Sequence, residues 1–177
     1  SHTNAAVNEI KNKIGGHCPK LFSYPNFIGT IQSFVDKFLA IPYCQNHLKA
    51  RISWIDSERF QEALWSEFVK IYWSTDYEKP GTYFWGRLIK NAKAIAVQTG
   101  DSESDICNQL IAKEVKDLFL DYDDEKIKFF RDGSTLLASK TNKKYQGIRS
   151  TIEKVIQSGI ISYEYAYKLA DHYCTLY

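Results

Sequence analysis

Apolar residues recur every three or four positions through much of this chain, and the runs are cut into blocks by Gly, Pro and helix-starting polar residues. Such spacing lays an apolar stripe along one side of a helix and leaves the other side polar. Asp56-Ser57-Glu58 is a start signal, because a capping side chain and an early negative charge suit a helix N-terminus. Phe60, Leu64, Phe68, Ile71 and Tyr72 make the stripe that follows. Pro80-Gly81 separates it from a second stripe of Phe84, Trp85, Leu88, Ile89, Ala92, Ile95 and Ala96. Gly100 and then Asp101-Ser102-Glu103 mark a stop and a restart, followed by Cys107, Leu110, Ile111, Val115, Leu118 and Phe119. Residues 143–157 carry Tyr145, Ile148, Ile152, Val155 and Ile156 on one face, and Ser158-Gly159 ends them. Ser162 caps a last helix whose Ala166, Leu169, Ala170, Tyr173 and Leu176 face one way. The expected class is mainly α.

One region breaks the period. In residues 122–142, Asp132-Gly133 lies between two short extended runs, 127–131 and 134–138. Asp-Gly suits a two-residue turn that needs positive φ, so the fold leaves room for one short β-hairpin there. A further short extended piece is allowed at residues 51–55.

The N-terminal part reads as helix, loop, helix. Thr3 or Asn4 caps a helix to about Ile14, which Gly15-Gly16 stops. Pro19 and Pro25 bracket a loop that leads to a short buried strand at Phe27-Ile28. Gly29 turns the chain, Thr30 caps a helix, and Ile31, Phe34, Val35, Phe38 and Leu39 share one face. The helix should end at Ile41-Pro42, since the residue before Pro is pushed out of the helical region. A strand entering a capped helix leaves Thr30, Gln32 and Ser33 near a rim. Such rims either bind anions through free backbone donors or merely cap the helix.

Composition excludes several classes. Hydrophobic residues make up 44% and aromatic residues 15%, which is globular rather than disordered. No uninterrupted apolar run is long enough to cross a bilayer and no signal-peptide pattern opens the chain, so no membrane partner is expected. Cys18, Cys44, Cys107 and Cys174 are scattered without a Cys-x-x-Cys pair and read as reduced, cytoplasmic thiols. His17-Cys18 and Cys44-Gln45-Asn46-His47 supply four zinc ligands on paper, but their spacing matches no standard structural site. A chain that opens at Ser1 and contains no Met reads as a processed or excised piece. Trp54, Trp65, Trp73 and Trp85 are expected to pack inward rather than stack on bases.

The formal charge of +2 hides a local asymmetry. Residues 101–125 hold nine acids against two lysines, and residues 126–149 hold seven basic residues against one acid. The basic set is Lys126, Lys128, Arg131, Lys140, Lys143, Lys144 and Arg149. Clustered cations follow a phosphate backbone by releasing its counterions. The competing reading is a solvated loop whose charge neutralises the acidic neighbour. Catalytic signatures are missing: there is no Gly-x-x-x-x-Gly-Lys-Thr/Ser phosphate loop and no Asp-Glu pair after an apolar strand to hold Mg²⁺. His172, beside Asp171 and Cys174, reads as an ordinary helix-surface group.

Gly29-Thr30-Ile31-Gln32-Ser33-Phe34 resembles the Thr-Phe/Ile-His-Ser-Phe motif of UvrD/Rep-like superfamily 1 DNA helicases. Nearer the start, His2-Thr3-Asn4-Ala5-Ala6-Val7-Asn8-Glu9-Ile10 resembles the motif that precedes it, Phe-Thr-Asn-Lys-Ala-Ala-x-Glu-Met, in the same order and at a fitting separation. The resemblance directly covers residues 1–40. It implies a mainly α piece of a RecA-like helicase core: 1–45 flanking the first RecA-like domain, 46–160 an inserted helical subdomain, and 161–177 a return helix. It also implies that His2, Thr3, Asn4, Thr30, Gln32 and Ser33 line a single-strand track. His2 stands where the family has a stacking Phe, and Gln32 replaces its His. Lys140, Lys143, Lys144 and Arg149 are the candidate surface for guiding single-stranded or forked DNA.

By the same resemblance, ATP and Mg²⁺ serve the full-length parent, the remainder of the helicase chain is a partner, and this piece holds no cofactor and hydrolyses nothing. The alternative is a free-standing α-helical protein-interaction module without a nucleic-acid role. A third option, a small metal-dependent enzyme, needs Cys18, Cys44 and His47 to converge.

Overall fold

The computed structural model describes residues 3–72 and 82–176. His2 and Trp73 lie outside them. The fold is mainly α, with a few short strands.

Helix α1, Asn4–Ile14, begins where the Thr3 hydroxyl accepts from the Ala6 N–H at 3.3 Å. A tight turn at Pro19–Phe22 follows. The strand expected at Phe27-Ile28 does not form. No described strand lies beside the segment to complete a ladder, and Phe27 instead sets its ring edge-on to Phe34 and Phe38, with centroids 6.0 and 5.1 Å away.

Helix α2 (Ile31–Val35), a wide π turn (Asp36–Ala40) and α3 (Ile41–Asn46) run on as one helical rod. The expected stop at Ile41-Pro42 fails for a backbone reason. In the wide turn the Ile41 N–H reaches five residues back to the Asp36 carbonyl. Pro42 then falls in the first turn of α3, where a missing N–H removes no needed bond.

Strand β1 (Trp54–Ile55) precedes α4 (Ser57–Tyr72), and the Asp56 carboxylate caps α4 by accepting from the Arg59 N–H at 3.0 Å. Helices α5 (Thr82–Thr99) and α6 (Glu103–Lys116) pack on each other, and α6 packs on α4. Gly100, at φ +78, separates α5 from α6, and the Ser102 hydroxyl caps α6.

Strands β2 (Leu118–Asp121), β3 (Lys126–Phe129) and β4 (Thr135–Leu137) form an antiparallel sheet. The hairpin expected around Asp132-Gly133 is present, with Gly133 at φ +69, but not the two-residue turn: residues 130–134 separate β3 from β4, and the Gly133 N–H closes this longer loop on the Phe129 carbonyl at 2.9 Å. Leu118 and Phe119 are a correction: they belong to β2 and not to the preceding helix. Leu118 pairs with Phe129 and Leu120 with Ile127, so a neighbour distant in sequence, not the local period, sets their conformation.

Helix α7 (Lys143–Gln157) leads to β5 (Ile160–Ile161) and α8 (Tyr163–Thr175), the last capped by Ser162. β5 pairs in parallel with β1. Gly159 makes that approach possible: its φ is +90, and a Cβ there would meet the Arg51 carbonyl oxygen at 2.8 Å. Its own carbonyl accepts from Ser53 and Trp54 at 2.8 and 3.0 Å.

A single apolar core joins α3, α4, α6, β2, α7 and α8. Each fully buried side chain of the Phe60 or Leu64 kind contributes roughly 1.5–3 kcal/mol by leaving water. Among the described residues no buried side-chain nitrogen or oxygen lacks a hydrogen-bond partner. Tyr165, fully buried, donates its hydroxyl to the Leu120 carbonyl at 2.8 Å, and burial pushes its pKa well up. Thr151 returns its hydroxyl to the Gly147 carbonyl at 2.9 Å.

Candidate functional site

Thr3 and Thr30 start different helices, α1 and α2, in the same way. At Thr30 the side-chain oxygen accepts from the Ser33 N–H at 3.0 Å, and the two hydroxyl oxygens lie 2.7 Å apart. Thr3, Asn4 and Ser33 are exposed, and Thr30 is half-buried. Of the two hydroxyl protons at Thr30 and Ser33, one is shared between the two oxygens. Gln32 is differently engaged: its amide donates to the Asp36 carboxylate at 2.6 Å within the rod. Burial raises the Asp36 pKa, and the Gln32 bond opposes that.

The basic segment is largely paired with carboxylates. Lys126 meets Asp124 at 3.1 Å, and Lys128 meets Asp121 and Asp124 at 2.7 and 2.8 Å. Arg131 forks onto Glu114 and Asp117 at 2.7 and 2.9 Å, with its guanidinium over the Phe129 ring. Lys140 pairs with Glu125, Arg149 Nη1 reaches the same Glu125 at 3.5 Å, and Arg149 Nε donates to Glu153 at 2.8 Å. The structure thus brings Lys140 and Arg149 together on one carboxylate. Lys143 and Lys144 stand instead at the start of α7, where Asn142 caps the helix by accepting from the Lys144 N–H at 2.8 Å. Exposed pairs of this kind hold about 0–1 kcal/mol each, so they orient side chains more than they stabilise the fold.

Beside Arg149 lies a cleft of about 510 Å³ between the C-terminal half of α7, Tyr122 and the His47-Leu48 turn. Its wall continues into a cluster of aromatic rings. His47 stacks on Tyr43 at 4.9 Å, and Tyr43 meets the edges of Tyr122 and His172 at 6.0 and 5.4 Å. His172 is not the plain surface group expected: its side chain is 15% exposed and Nδ1 is bonded to the Asp123 carboxylate. Burial pushes the Tyr43 hydroxyl and the Cys44 thiol up to about 12 each, so both stay neutral at ordinary pH. The sequence gives no hint of this cluster, since residues 43, 122 and 172 meet only through the packing of three separate elements.

The tryptophans divide. Trp65 is half-buried and stacks on Phe68, whereas Trp54 is 51% exposed and carries the Arg59 guanidinium 4.0 Å above its ring. Trp54 therefore departs from the expected inward packing. Among the described residues no group of three or more His, Cys, Asp and Glu is placed to hold a metal ion, which leaves the Cys18, Cys44 and His47 option without a site. No described helix is long and apolar enough to cross a membrane.

No family model, curated protein or solved structure matches this chain.

Proposed function

We propose that this chain is a strand-holding part of an ATP-dependent DNA helicase, gripping single-stranded or forked DNA while nucleotide hydrolysis belongs elsewhere in the parent. Two motifs in the family's order support the reading. The observation that carries it is the hydroxyl pair of Thr30 and Ser33 at the start of the α2 rod, with Ser33 exposed. Hydroxyl groups so placed suit sugar and phosphate oxygens, which position a strand without reading its bases. ATP and Mg²⁺ would be cofactors of the parent. This chain offers no Gly-x-x-x-x-Gly-Lys-Thr/Ser loop to hold them, so no hydrolytic step is assigned to its residues.

The test is fluorescence anisotropy with a labelled oligo-dT strand. Weak binding that falls with salt is expected, and Thr30→Ala with Ser33→Ala should weaken it about fivefold, one hydrogen bond's worth. Absence of binding at low salt refutes the reading, as does DNA-stimulated ATP turnover by the pure chain.

A second reading, an α-helical protein-interaction module, is favoured by the apolar ridge of Ile31, Phe34 and Phe38 on the outer face of the rod. It gains ground if Phe34→Asp abolishes capture of a partner protein while the chain ignores the oligonucleotide.

A further inference from the structure

Glu125 lies at the end of the turn between β2 and β3, with φ +53 in the left-handed region that side-chain-bearing residues seldom adopt. The conformation is held from outside the turn: the Tyr145 hydroxyl of α7 donates to the Glu125 carbonyl at 2.6 Å. So held, the Glu125 carboxylate reaches both Lys140, in the loop after β4, and Arg149, on α7. Two cations from separate elements thus converge on one anion. The Lys140 and Glu125 side chains are 59% and 39% exposed, so the pair is open to exchange with an anion from solvent. Arg149 would keep its orientation after such an exchange, because its Nε is separately bonded to Glu153 at 2.8 Å. On its other side Arg149 lines a cleft together with Ser150, Glu153 and Lys154.

We propose that Lys140 and Arg149 form a two-cation site for phosphate groups, and that Glu125 is a built-in competitor occupying it until phosphate displaces it. A phosphate diester offers these cations a full negative charge and oxygens that a guanidinium can bind in fork geometry, so it can replace the carboxylate one for one. A terminal or free phosphate carries more charge still. The proposal takes its ligand from the strand-holding reading and adds the residue that regulates the grip. It concerns a different surface from the Thr30–Ser33 pair, so the two can fail separately.

Glu125→Gln keeps the side-chain length and the backbone turn while removing the competing charge. Asp101→Asn, at an exposed position between α5 and α6, makes the same change in net charge elsewhere. Labelled oligo-dT and inorganic tripolyphosphate are the two probes. Glu125→Gln should bind the oligonucleotide several-fold more tightly than the natural chain at low salt. With two more cations available, its salt slope should steepen by about 1.4, so it loses about sevenfold more affinity between 50 and 200 mM salt. Asp101→Asn should not reproduce this, and adding Lys140→Ala to Glu125→Gln should halve the added slope to about 0.7, leaving the share of Arg149. Equal behaviour of Glu125→Gln and Asp101→Asn overturns the competitor role. If only tripolyphosphate responds to Glu125→Gln, the two-cation site stands as a site for terminal or free phosphate, its role toward a strand is overturned, and the Thr30–Ser33 grip keeps its own test. If neither probe responds, the site itself is refuted.

Discussion

The stripe at Ile31, Phe34 and Phe38 and the stripe at Phe60, Leu64 and Phe68 are the same kind of sequence, and the molecule treats them in opposite ways. On α4 all three side chains are buried, enclosed by α6, α7 and α8. On the α2 rod Ile31, Phe34 and Phe38 remain 46%, 47% and 40% exposed, with Phe27 edge-on to Phe34 and Phe38 and the Lys37 ammonium over the Phe27 and Phe38 rings. Helix α1 repeats the second pattern: Val7 is buried, while Ile10 and Ile14 are exposed. A helical period therefore states that a face is apolar without stating what covers it. Further along the same rod, Ala40, Tyr43 and Cys44 do enter the core, so the change from open to enclosed takes place within one helix.

The largest expected effect sharpens this contrast. Phe60→Ala should cost about 3–5 kcal/mol in urea unfolding, because it opens a cavity in a closed core. Phe34→Ala should cost no more than about 1 kcal/mol, since its face stays half in water; equal losses would break the comparison. Next comes the backbone. Gly159→Ala should cost about 2 kcal/mol, because the residue sits at φ +90 and the added Cβ meets the Arg51 carbonyl, whereas Gly16→Ala, with open space at its Cβ, should be near neutral.

A smaller effect is expected at the cap. Thr30→Ala should cost about 1 kcal/mol by freeing the Ser33 N–H, and Thr30→Asn should recover much of it. Last is a chemical probe that leaves stability alone. With its pKa raised to about 12 by burial, Cys44 should stay unreactive toward iodoacetamide at pH 8.5, while the exposed Cys18 and Cys174 are alkylated. The sign follows from the thiolate being the reactive form: raising a thiol pKa lowers its thiolate fraction at any pH below that value. Alkylation of Cys44 at the pace of Cys18 would mean that the enclosed end of the rod opens as readily as its ridge.

The pairing of the charged blocks was half legible. The facing acidic and basic runs announced neutralisation as one of two readings, and Lys126, Lys128 and Arg131 follow it closely. That Glu125 would hold both Lys140 and Arg149 was not legible, because the three meet only once the sheet has folded against α7. His172 was misread for the same reason, its partner Asp123 lying in the turn between β2 and β3, 49 residues away in sequence.

Local pattern was enough for the class, for the capped starts at Thr3, Thr30, Ser102 and Ser162, and for a hairpin around Gly133, though not for the length of its loop. Those depend on side chains bonding backbone a few residues away or on positive φ at a single position. Local pattern was not enough at Leu118 and Phe119, at Phe27-Ile28 or at Pro42. An apolar run becomes strand or helix according to the partner that satisfies its backbone, and a proline ends a helix only if the turn around it needs the missing N–H. Those choices belong to the packed molecule, where strand partners, the π turn and the Glu125 clamp are settled together.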